Sequence, residues 1–282
     1  MRFLRPIKLS LKRYGLAHTI GRGIEYTLLQ TQPTADLYYR ISPAWYKLKY
    51  SRQLQQYSCP PDVFATYLLD PSDIVRFSLR KDPSEGALYD VGSVIGGEWD
   101  LRKEVPPESV MSDLLYGYHI KETPLYHAME QHFINNTPWT ETQFINEAIL
   151  RAEKGRYVWD DLQSEKEIID RCREIDRLFD RIKEEGYKSQ KELRDIKPSL
   201  GMPFGYLNEQ IMEVAVDIDR NGETLLLDGR HRLIISKLLD LEQIPVQVIV
   251  RHKQWMKKRE KNINGGANLE HIDLPPYDKQ EY

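Results

Sequence analysis

Hydrophobic and polar positions alternate most cleanly from residue 214 onward. Val214, Val216 and Ile218 interleave with Asp217 and Asp219, the period-two pattern of a strand with one buried face. Asn221-Gly222 follows and predicts a type I′ hairpin turn, which needs positive φ at both central residues. The chain returns through the leucines of 225–227, breaks at Asp228-Gly229 and enters a short helix. There Leu233, Ile234, Leu238 and Leu239 recur at helical spacing, and the apolar run 244–250 predicts a closing strand. The expected unit over 213–255 is therefore strand, strand, helix, strand.

Earlier in the chain the period changes. Ser164 with Glu167 forms a capping box that opens a helix carrying Ile168, Cys172, Ile175, Phe179 and Ile182 on one face, with Gly186 as its stop. Its charges fall on the other face and read as a solvated surface. Thr140 with Gln143 suggests a second box, before Phe144, Ile145, Ala148 and Ile149, with Gly155 ending the helix. These helices form an insertion at about 105–190 inside a body spanning 60–260. Residues 74–79 read as a short strand and 81–86 as a turn. The first helix is expected after Pro6, with Ile7, Leu11 and Tyr14 on one side and Lys8, Lys12 and Arg13 elsewhere. Such a segment either docks on its own protein or lies on an anionic membrane or a partner. Residues 41–57, rich in Tyr, Lys and Arg with Pro43, Pro60 and Pro61 nearby, read as an extended connector or as a stacking surface for a nucleic acid or a sugar. Asn264-Gly265-Gly266 breaks regular structure, and 261–282 read as a flexible tail.

Composition alters this picture in one respect. Lys and Arg total 40 against 43 Asp and Glu over 282 residues, so bulk charge does not mark a nucleic-acid binder. The first 60 residues, however, hold ten Lys or Arg against two acids, leaving thirty against forty-one in the remainder. Cys59 and Cys172 have neither metal-ligand nor disulfide spacing. His119, His127 and His132 lack the spacing of a zinc site. No apolar run reaches the roughly 20 residues that span a bilayer, and early basic residues interrupt any signal-peptide core. A cytoplasmic protein is expected, with a peripheral membrane location open through the basic end.

Two stretches carry candidate chemistry. In Asp228-Gly229-Arg230-His231-Arg232, Gly229 permits a tight turn, and the helix start after it offers unpaired N–H groups and a positive dipole end. Cations in a first turn oppose that dipole at about 0.3–1 kcal/mol each, which becomes sensible if a polyphosphate sits there. The alternative is that these side chains reach solvent or pair with Asp228 and Glu242. The second stretch is Gly96-Gly97-Glu98-Trp99-Asp100. In an extended segment Glu98 and Asp100 would point the same way and converge on one magnesium ion or one hydroxyl; otherwise they are solvated on a surface turn.

The run DGRHRL, followed by a Leu-rich helix and IPVQVIV, resembles the ParB/sulfiredoxin superfamily. The likeness is strong over about forty residues and weaker over the sixty or so before them. Asp228, Gly229, His231 and Arg232 match the kinase-like Asp-Gly-His-His-Arg pattern. The sulfiredoxin nucleophilic cysteine is replaced by Arg230, and only Gly229 and Arg232 match the ParB version. The resemblance implies an α+β fold, with a small mixed sheet and helices, that binds ATP or another nucleoside phosphate with Mg2+. Gly229, Arg230, His231 and Arg232 would hold the phosphates. Asp228 and His231 would act in catalysis, Asp228 and Asp100 as metal ligands, and Glu98, by position, as the catalytic base. The expected activity is phosphoryl transfer to an unidentified small or macromolecular acceptor. Two alternatives remain: a CTP-type nucleotide-gated protein acting on DNA or a membrane, although no helix-turn-helix follows the unit, and a ParB-like nuclease.

Overall fold

The computed structural model describes residues 20, 23–24, 27–81, 87–104, 118–156, 158–159, 162–190, 192–193, 212–266 and 269–274. Everything in it is arranged about one strand, Ile244–His252, whose nine residues are all buried. Numbered along the chain, the strands are β1 (Thr66–Leu69), β2 (Ser93–Ile95), β3 (Val214–Ile218), β4 (Thr224–Asp228) and β5 (Ile244–His252). On one side β5 pairs with β3, in parallel, and β3 continues to β4 as an antiparallel hairpin. On its other side β5 takes two short strands in succession, antiparallel β1 along its first half and parallel β2 along its end. The result is a five-stranded mixed sheet.

Six α-helices are described: α1 (Gln32–Ser51), α2 (Pro124–Phe133), α3 (Gln143–Glu153), α4 (Glu165–Glu185), α5 (Arg230–Leu238) and α6 (Lys253–Lys261). The strand–strand–helix–strand unit is present as β3, β4, α5 and β5. In α4 the apolar face predicted from spacing is the buried one, Ser164 Oγ accepts from Glu167 N at 3.3 Å, and Gly186 ends the helix at φ +77°. Helices α2 and α4 pack against α5, so the insertion supports the helix that follows the Gly229 turn. Among the described residues no helix is long and apolar enough to cross a membrane.

Several expectations are corrected. The β3–β4 turn is not type I′, because only Gly222 has positive φ. Gly222 N donates to Asp219 O, and Asp219 Oδ1 accepts from Asn221 N and Glu223 N, which builds a type I turn closed by a left-handed glycine. A β-carbon on Gly222 would sit 2.6 Å from the Trp255 ring. Residues 41–51 are not an extended connector but belong to α1, with Pro43 inside it. Ala35 and Tyr38 are buried while Tyr46 and Tyr50 pack on the main core, and this burial at helical spacing outweighs the hydrogen bond lost at the proline. Residues 74–79 make only isolated bridges, Arg76 with His119 and Phe77 with Leu226, whereas Thr66–Leu69, unread in the sequence, is a strand. The cap of α3 is Thr142, not Thr140. The start of the supposed tail is anchored: Ile272, Asp273 and Leu274 are buried, and Asp273 binds Arg251, Arg259 and Trp255. The expected helix after Pro6 and most of the 81–86 turn lie outside the described residues.

Candidate functional site

Strand β4 ends at Asp228, and the chain reverses at Gly229 with φ +89°, a left-handed conformation that glycine adopts without penalty. Space favours glycine as well, since a β-carbon there would lie 3.1 Å from Val214 Cα and push it aside by a few tenths of an ångström. Asp228 Oδ1 accepts from Gly229 N at 2.7 Å and fixes the turn. No side chain caps α5 and its first turn contains no acid, so the backbone amides and the dipole face three cationic or ionisable side chains, Arg230, His231 and Arg232.

Their surroundings come from elsewhere in the chain. Arg232 Nη2 donates to Met212 O at 2.6 Å, and its Nη1 stands 3.6 Å from Glu213 Oε2, too far for a hydrogen bond. Tyr187, just after α4, brings its hydroxyl beside Arg232. Trp159 lies 5.9 Å from His231 between ring centroids, and this fully buried residue holds a left-handed φ of +40°. Among the described residues, four buried polar atoms around the turn have no hydrogen-bond partner: Arg232 Nη1, Glu213 Oε2, Tyr187 Oη and Trp159 Nε1. Leaving each unpaired costs roughly 1–3 kcal/mol. Gln247, also fully buried and without a partner at either amide atom among the described residues, shares a transverse row of the sheet with Ala215 and Asp228, so these three side chains face the same way.

Burial shifts the titrating groups. The Glu213 carboxyl is raised by burial, against the pull of the Gln190 amide and of Arg232. Tyr187 is pushed up to about 12 by burial, with Arg232 opposing the shift. At neutral pH Tyr187 is therefore a hydrogen-bond donor.

The second predicted stretch is built differently. Gly97, at φ +90°, turns the chain, and Trp99–Leu101 form a 3-10 turn, so residues 98 and 100 do not share an extended face. Glu98 is exposed and Asp100 is buried. Arg220 grips Asp100 through Nε and Nη2, both at 2.7 Å, and through its backbone N at 3.1 Å. Burial alone would raise the Asp100 carboxyl, but the Arg220 hydrogen bonds prevail and hold it below the usual carboxylate range.

The two stretches do not meet. Gly229 touches the first residue of β3, whereas Asp100 binds Arg220, two residues beyond its last. Six residues at strand spacing put them roughly 20 Å apart. Asp228, Gly229, Arg230, His231 and Arg232 are thus brought together, and Glu98 and Asp100 lie at the other end of the sheet. Sequence reasoning missed Glu213, Tyr187, Trp159 and Gln247. Only Glu213 had a local signal, as an acid directly before an apolar strand. Comparisons with protein-family models, with curated proteins and with solved structures find no match.

Proposed function

We propose that the Gly229 turn is a nucleotide-phosphate site and that the protein is a kinase-like phosphotransferase. The observation that carries this reading is the set of orphaned polar atoms around the turn: a guanidinium N–H, a phenol, an indole N–H and a carboxylate oxygen, beside a helix start with no cap. Three of these are donors, and they stand by the side chains of the first turn of α5, Tyr187 by Arg232 and Trp159 by His231, where an anion would also meet the uncapped helix amides. Phosphate oxygens would take hydrogen bonds from those amides and from Arg232. Arg230 and His231 would balance charge as it develops on the transferred group.

Magnesium would arrive with the phosphates. Among the described residues no cluster of three or more His, Cys, Asp or Glu side chains forms a protein-only metal site, but one carboxylate plus phosphate oxygens is an ordinary magnesium environment. Asp228 would hold the ion, which would supply neutralisation of phosphate charge. The base cannot be Glu98 or the metal ligand Asp100 if the reaction occurs at this turn, because both lie at the far end of β3. Glu213 takes the acid–base role in this reading, being buried, raised in pKa and open at Oε2.

A second reading, a CTP-type nucleotide-gated protein at DNA or a membrane, draws on the basic first 60 residues. The test is calorimetric titration of the full chain with ATP, ADP, CTP and GTP in magnesium. Preference for adenine nucleotides supports the phosphotransferase and preference for CTP the gated protein, whereas silence with all four removes both.

A further inference from the structure

Helix α1 carries more apolar surface than its own protein covers. Ala35, Tyr38 and Ser42 are buried, with Tyr46 and Tyr50 following on the core side. A separate row, Leu37, Ile41, Trp45 and Leu48, is exposed at 53%, 57%, 60% and 63%. The spacing of four, four and three residues confines this row to an arc of roughly 80° extending about 17 Å along the axis. Ahead of the helix, Ile20 and Ile24 are likewise exposed and four apart. Asp36, Arg40 and Lys47 form a polar strip along one side of the row, and Lys49 lies beyond its other edge.

Charge identifies what this row fits. The first 60 residues carry a net +8 and the rest of the chain a net −11, from ten cations and two acids against thirty and forty-one. Around the row stand Arg40, Lys49 and Arg52, together with Lys47, which is paired with Asp62 at 2.8 Å; Asp36 is the one acid within α1 itself. Nucleic acid would use the cations but has no place for three aliphatic side chains in a line. A second copy meeting row to row would bring two strongly positive segments together. A bilayer with anionic headgroups accepts both components: aliphatic side chains enter the acyl boundary, Trp45 sits at the interface where indoles concentrate, and Lys and Arg reach the headgroups.

We propose that the Leu37–Ile41–Trp45–Leu48 row of α1 seats this protein on an anionic lipid surface, with the acidic body held away from it by charge. This goes beyond the nucleotide reading and is independent of it. Co-sedimentation of the full chain with phosphatidylcholine vesicles, with and without phosphatidylglycerol, measures it directly. The wild type should pellet with the anionic vesicles, bind the neutral ones far less, and release as salt is raised. The triple variant Leu37→Ser, Ile41→Ser, Leu48→Ser should lose binding by about tenfold or more while melting at the wild-type temperature, since all three side chains are more than half exposed. Full retention by the triple variant, or no vesicle binding by the wild type, overturns the proposal. So does light scattering that shows a wild-type dimer which the triple variant abolishes, because the row would then be an interface between copies.

Discussion

The two ends of strand β3 are made of similar parts and behave in opposite ways. At one end lie Gly229, Arg232, Glu213 and Asp228; at the other Gly222, Arg220, Arg76, Asp100, Asp219 and Glu223. At the second end the polar groups satisfy one another. Arg76 gives Nε and Nη2 to Glu223, Nη2 also to Asp219, and Nη1 to the Asp100 carbonyl, while Arg220 is held by both Asp100 oxygens. Beside it, buried Asp273 takes Arg251 and Trp255, leaving only Arg251 Nη1 without a partner. At the first end, the Arg232–Glu213 pair stands open at 3.6 Å, and Tyr187 Oη and Trp159 Nε1 around it find no partner among the described residues. Arginine, carboxylate and a left-handed glycine therefore do not by themselves mark a site. What separates scaffold from proposed site here is whether the hydrogen-bonding capacity is already used.

The largest expected effect lies at the saturated end. Asp273→Ala leaves the fully buried Arg251 guanidinium without its anion, and breaking such a pair costs about 3–5 kcal/mol. Urea unfolding should show that loss, and the folded fraction should keep its nucleotide affinity; a joint loss of both would erase the distinction between the ends.

The glycines sharpen the comparison at smaller amplitude. Gly97 and Gly229 share left-handed φ values, but a β-carbon on Gly97 meets nothing within 4 Å. Gly97→Ala should cost about 1 kcal/mol for conformation alone. Gly229→Ala should cost visibly more by thermal unfolding, because Val214 Cα and Cγ2 are at 3.1 and 3.3 Å. Equal losses would mean that the Gly229 turn can give way.

The smallest effect is a slope in pH. Asp100 and Asp273 are held below the carboxylate range, so their stabilisation is complete above about pH 4 and is lost as pH falls through their lowered values. Glu213 is raised, so the folded state keeps its proton longer than the unfolded chain. Its contribution is fully present below about pH 4.3 and declines as pH rises through the raised value. Glu213→Gln should flatten the decline in melting temperature above pH 4.3 and leave the acid limb untouched. An unchanged profile would show that Glu213 is not buried as an acid.

Much of this was legible in the chain, for physical reasons that differ by element. Helix α4 declares itself because Ser164, Gly186 and a buried face every three to four residues are all local. The Gly229 turn is legible because its residues are contiguous. Tyr187, Trp159 and Glu213 reach the same place only through tertiary packing of the insertion on α5, and no sequence period encodes that. Helix α1 was obscured by Pro43, a local signal overruled by burial of Ala35 and Tyr38 and the packing of Tyr46 and Tyr50. The segment 271–274 was obscured by nearby prolines and glycines, although Asp273 anchors it to Arg251.

Calorimetry comparing wild type with Arg232→Ala, titrated with the preferred nucleotide in magnesium, tests the central claim most directly. Loss of a charge-assisted phosphate contact predicts affinity weaker by about tenfold or more in a variant that remains folded. Unaltered nucleotide affinity in Arg232→Ala would contradict the assignment of the Gly229 turn as the phosphate site.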